Sequence, residues 1–69
     1  MTVKKGQYLA SLFHHVIYEI MGAGSRRVIL RRLMSSRRTY LTPEQVEHMI
    51  ISYQYSIYET FSEIEKVGK

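Results

Sequence analysis

The sequence predicts an all-α domain: an antiparallel pair of short helices packed on one long C-terminal helix. Three observations carry that expectation. Val46, Ile50, Tyr53, Ile57, Thr60, Ile64 and Val67 recur at alternating steps of four and three, a heptad seam with isoleucine at the a positions. Thr42, Pro43 and Gln45 spell out a capped helix start. Upstream, Leu9, Leu12, Phe13, Val16, Ile17, Ile20 and Met21 fall on one broad helical face. The expected organisation is a single helical domain over 1–69, with helices at about 7–21, 26–36 and 43–67.

Residues 1–6 read as a loose lead-in, with Gly6 discouraging an early start. The first helix, Gln7 to Met21, keeps Ser11, His14, His15, Tyr18 and Glu19 on its polar side. Gly22-Ala23-Gly24-Ser25 breaks it, because glycine tolerates the left-handed closing conformation and serine caps the next helix. A second helix from Arg26 to Ser36 buries Ile29, Leu30, Leu33 and Met34, and Ser35 to Tyr40 form its polar exit. The third helix starts at Pro43, with Leu41 and Val46 spaced as a hydrophobic staple. Glu44 and Glu47 suit its positive end, Lys66 and Lys69 its negative end. At 1.5 Å per residue it would be about 37 Å long, more than the two short helices can cover. A second copy of the chain is expected to complete it.

Size supports the same expectation. A chain of 69 residues buries only about 60% of the surface its unfolded form exposes, and its core rarely supplies more than ~3–5 kcal/mol. With no cysteine, disulfides and thiolate metal sites are excluded, and self-association or a bound partner is the remaining support. The expected self-association residues are Val46, Ile50, Tyr53, Ile57 and Ile64, forming a homodimer. The compartment expected is the cytoplasm. Lys4-Lys5 followed by an apolar stretch imitates a signal peptide, but His14, His15 and Glu19 interrupt it. No run approaches the ~20 apolar residues of a membrane span.

Charge divides the chain. Residues 1–40 carry eight lysines and arginines against Glu19 alone, a net +7, while residues 41–69 carry −3. Arg26, Arg27, Arg31, Arg32, Arg37 and Arg38 form a basic surface of three adjacent pairs, suited to phosphate because each guanidinium fork donates two parallel hydrogen bonds. The competing assignment pairs Arg27, Arg31 and Arg38 with glutamates of the third helix.

Catalytic chemistry finds little support. His14 and His15 point about 100° apart on a helix and cannot readily chelate one metal. His15 and Glu19 have chelating spacing, but a surface ion pair explains them as well. Ser11 lies near both histidines, yet no carboxylate orients either ring. Gly22-Ala23-Gly24-Ser25 lacks the lysine and preceding strand of a phosphate loop. No catalytic residue, metal or cofactor is expected.

Ile51, Tyr55 and Tyr58 stand at i, i+4 and i+7, a second ridge on the third helix, apolar and aromatic with a polar rim. They are the expected partner-binding residues. The short, cysteine-free chain with one capped helix is similar in architecture to small bacterial and phage regulators and helical chaperones; no residue carries over. The function expected is a small non-enzymatic regulator, inhibitor or chaperone that docks a larger protein. The alternative is a nucleic-acid-binding regulator using the arginines.

Overall fold

The computed structural model describes residues 3–67 and is built on a five-stranded antiparallel sheet with two short helices. In chain order the elements are β1 (Tyr8–Ala10), a 3-10 turn (Leu12–His14), β2 (Ile17–Ala23), β3 (Val28–Arg32), β4 (Arg38–Leu41), α1 (Pro43–Ser52), β5 (Ser56–Tyr58) and α2 (Phe61–Val67). The strands lie in the order β4-β3-β2-β1-β5. Four strands therefore meander, and β5 returns after α1 to pair with β1 at the far edge. The all-α prediction is overturned.

The physical reason lies in side-chain type and period. The segment expected as helix one holds Tyr8, Val16, Ile17, Tyr18 and Ile20, and helix two opens on Val28 and Ile29, residues that suit a pleated, half-buried surface better than a helix. Val28 and Leu30 are fully buried, whereas Ile29 and Arg31, one step out of phase, are only partly so. That is a period of two. Short apolar runs satisfy both periods, and cross-strand partners decided between them. Gly22 to Ser25 is not a helix junction: Gly22 and Ala23 are the last residues of β2, and only Gly24 and Ser25 enter a turn. The end of β2 and the following turn form a β2–β3 hairpin, with Ala23 opposite Val28 and the Gly24 N–H donating to the Arg27 carbonyl at 2.9 Å.

The predicted start of the third helix is observed in detail. The Gln45 N–H donates to Thr42 Oγ1 at 3.2 Å, and the Thr42 N–H donates to Gln45 Oε1 at 2.8 Å. Its length is corrected: α1 ends at Ser52, Tyr53 caps it, and Gln54 takes a left-handed φ of 59°. The stretch Ser52-Tyr53-Gln54-Tyr55-Ser56-Ile57-Tyr58 is poor in strong helix formers, and β1 offers an open edge that β5 fills. The chain then re-enters a helix at Phe61, where Thr60 Oγ1 accepts from the Glu63 N–H at 3.4 Å. The heptad seam is thus spread over two helices and a strand.

One face of the sheet carries the core. Val3, Leu9, Ile20, Val28, Leu30 and Val46 form its buried cluster, with Tyr18, Leu41, Met49, Ile50, Tyr55 and Ile57 packed against it. Val46, Met49 and Ile50 bring α1 onto this face. Tyr8, on the opposite face by alternation, meets the Phe61 ring of α2 at 5.8 Å between centroids. At the N-terminal end, Gly6 adopts a φ of +95°, a conformation costly for any side chain, and its N–H reaches the Ile20 carbonyl at 2.9 Å. No helix of the described residues is long and apolar enough to cross a membrane.

Candidate functional site

Ser11 and Val16 pinch off the β1–β2 connection. The Ser11 N–H donates to the Val16 carbonyl at 2.9 Å, and the Val16 N–H donates to Ser11 Oγ at 2.8 Å. Within the loop, Phe13 and His14 take left-handed φ angles of 62° and 57°. That conformation costs a non-glycine residue roughly 1–2 kcal/mol. Across a groove of about 480 Å³ stands Gln54, also left-handed, with Ser56 and Tyr58 on β5. Three of the four left-handed non-glycine residues found among the described residues therefore line one groove, completed by Ser11 and Leu12. Such backbone strain clusters at functional sites because the surrounding contacts must over-determine it.

The groove has an apolar lip and a polar wall. Phe13 is 81% exposed and Leu12 is 52% exposed. The wall is the pair His14 and Tyr58: imidazole Nε2 lies 3.1 Å from the phenol oxygen, and the rings meet edge-to-face at 5.5 Å. Beside it, β5 hydrogen-bonds to β1 on one side and ends the sheet on the other. No described acidic residue lines the groove, and the Ser11 hydroxyl already accepts from the Val16 amide. The groove thus offers apolar contact and one imidazole–phenol pair beside the edge strand β5.

The structure separates the residues expected to act together. Of the partner-binding trio, Tyr58 lines the groove, Tyr55 packs toward the core with its ring 6.3 Å from Tyr18, and Ile51 stands 79% exposed on α1. They do not form a ridge, because no helix connects them. Burial pushes the Tyr55 phenol above its usual range; Tyr18 adds to that shift and Arg32 opposes it. Of the self-association residues, Val46 and Ile64 are buried, and Ile50 and Ile57 pack on the core. Tyr53 alone stays largely exposed, its ring edge-on to His48 at 5.5 Å. The seam is therefore not one continuous exposed stripe.

The basic residues are strand and turn residues rather than a helix face. Arg26 and Arg27 lie in the β2–β3 turn, Arg31 and Arg32 on β3, Arg37 before β4, and Arg38 on β4. The Arg27 guanidinium sits 5.0 Å over the Tyr40 ring. Arg31 Nη2 donates to Glu19 Oε1 at 2.7 Å, the one ion pair among the described residues. The expected pairing with C-terminal glutamates is replaced by a cross-strand row, Glu19 opposite Arg31 and Arg31 opposite Arg38. Arg31 Nε is buried without an acceptor. Glu19 is thereby committed to Arg31, not His15, and among the described residues no cluster of three or more acidic or histidine groups is placed to hold a metal.

Sequence reasoning missed the groove. It assigned Leu12 and Phe13 to a helical core, although Ser11-Leu12-Phe13-His14-His15 stands between two strand-forming runs, where a polar-flanked loop with an aromatic tip was legible. Compared with family models, curated proteins and solved structures, the chain matches none.

Proposed function

We propose that this chain is a small, non-enzymatic binding protein that modulates a larger protein by holding an extended segment of it in the groove beside β5. One observation carries the reading: three strained, non-glycine residues converge on an apolar-lipped groove walled by the edge strand β5. An extended segment adds main-chain hydrogen bonds to such an edge, and alternate side chains supply specificity. Here an aliphatic or aromatic side chain of the segment would rest against Leu12 and Phe13, with His14 and Tyr58 offering a polar contact to its backbone. The cysteine-free composition suits such a protein to the cytoplasm.

Selection of displayed peptides on the immobilised full chain tests this. Enriched peptides should carry an apolar side chain and shift the backbone amide resonances of residues 12–14 and 54–58. Phe13→Ala should weaken the best peptide at least about tenfold, ~1.4 kcal/mol. Absence of enrichment, or equal affinity for Phe13→Ala, refutes the reading.

A further inference from the structure

On the other face of the sheet from the groove, the β3–β4 turn closes a second cavity of about 530 Å³, lined by Tyr18, Arg32, Leu33, Met34, Ser35, Arg37 and Thr39. We propose that this cavity is a binding site for a phosphate group, held between Arg32 and Arg37.

The donor inventory points to an anion. Two arginines and three hydroxyl-bearing residues, Tyr18, Ser35 and Thr39, line the same space, and no described acidic residue does. Neither Arg32 nor Arg37 has an acidic partner among the described residues. The register explains why: alternation places Tyr18, Arg32 and Thr39 on the face that carries Ile20 and Leu30, whereas Glu19 and Arg31 point to the other. The nearest carboxylate in sequence is therefore on the wrong side of the sheet and already bonded at 2.7 Å.

The turn is also held in shape. The Ser35 N–H donates to the Arg32 carbonyl at 3.0 Å, the Arg37 N–H donates to Ser35 Oγ at 3.1 Å, and the Leu33 N–H anchors to the Ile17 carbonyl at 2.9 Å. These bonds fix the Cα positions of both arginines before any ligand arrives, which lowers the ordering cost of binding. Behind Tyr18, the Tyr55 phenol stays protonated and adds no competing negative charge. Phosphate is favoured over a single carboxylate by charge. A phosphomonoester carries about −1.5 to −2 at pH 7 and presents three acceptor oxygens, matching two fixed cations. The same group arrives on a free ion, a mononucleotide or a nucleic-acid strand.

Full-length protein is titrated with sodium phosphate, AMP, an oligothymidylate and, as a dicarboxylate control, succinate, reading side-chain and backbone NMR shifts at physiological salt. The expected result is saturable shifts at Arg32, Ser35, Arg37 and Thr39 with at least one phosphate-bearing probe. Binding should weaken tenfold or more in Arg32→Gln and in Arg37→Gln, and stay unchanged for inorganic phosphate or AMP in Arg26→Gln. Arg32→Lys, which keeps charge but not the fork, should fall between, and circular dichroism confirms that each variant is folded. Comparable binding of phosphate and AMP identifies a small ligand. Binding of the oligonucleotide alone, with a salt slope reduced by about one in Arg32→Gln, identifies a strand. No shift with any phosphate probe overturns the proposal, as does equal binding of succinate, or affinity that both glutamine variants leave intact.

Discussion

Leu30 and Met34 lie four residues apart and would share the buried face of a helix, so their truncation separates the two architectures. In the sheet, Leu30 is fully buried at 0% exposure, opposite Ile20 on β2 and Thr39 on β4. Met34 is 98% exposed at the tip of the β3–β4 turn, with a φ of 69°. Leu30→Ala should cost about 2–5 kcal/mol, the range for a buried leucine that leaves a cavity. A domain of this size holds only ~3–5 kcal/mol in all, so the variant should be largely unfolded in plain buffer. Met34→Ala removes a side chain that touches almost nothing and should stay within about 0.5 kcal/mol. Met34→Gly should be neutral or stabilising. The left-handed φ costs methionine roughly 1–2 kcal/mol, against about 0.5–1 kcal/mol of extra backbone entropy lost by glycine. In a helix, glycine would instead cost about 1 kcal/mol beyond the lost packing. Urea unfolding followed by far-ultraviolet circular dichroism reads all three variants, with sulfate added to bring Leu30→Ala into range. A cost above about 1 kcal/mol for both methionine variants, approaching that of Leu30→Ala, would sink the strand assignment.

Three further outcomes follow from named contacts. Thr42→Ala removes the oxygen that receives the Gln45 N–H and should cost about 0.5–2 kcal/mol in urea unfolding; a change below ~0.3 kcal/mol would mean that the cap is not formed in solution. Because burial raises the Tyr55 pKa in the folded state, its contribution to stability is complete below the unfolded tyrosine value near 10 and is lost as pH rises through the folded value. Tyr55→Phe should accordingly flatten the decline of the urea midpoint above about pH 10, and an unchanged slope contradicts the burial. Gln54→Gly should relieve the left-handed strain and raise the urea midpoint, while peptide affinity at the groove holds or falls; a lowered midpoint would show that the Gln54 side chain, rather than its backbone, holds the β5 entry.

What the sequence by itself determined was local. Thr42, Pro43 and Gln45 carry a helix start in three adjacent side chains and their own backbone, so no distant residue was needed to see it. A second instance, Thr60 with Glu63, was equally legible but was absorbed into the long heptad pattern. Gly24 and Ser25 announced a turn for the same local reason, while Gly22 and Ala23, assigned to the same break, continue β2. The split of charge was also plain, and with it the surplus of arginine in the first half.

Only the tertiary structure decided the period. Val28 to Arg32 and Ile17 to Ala23 are too short to distinguish a strand from a helical turn by apolar spacing alone. Pairing Ile20 with Leu30 and Leu9 with Ile57 resolved it, and those partners lie ten and forty-eight residues apart. The groove followed from the same pairings, since β5 brings Tyr58 to His14 across forty-four residues. A side chain announces its own backbone preference; what lies opposite it is fixed only when the chain has closed, and in this protein what lies opposite made the sheet, its grooves and its open edges.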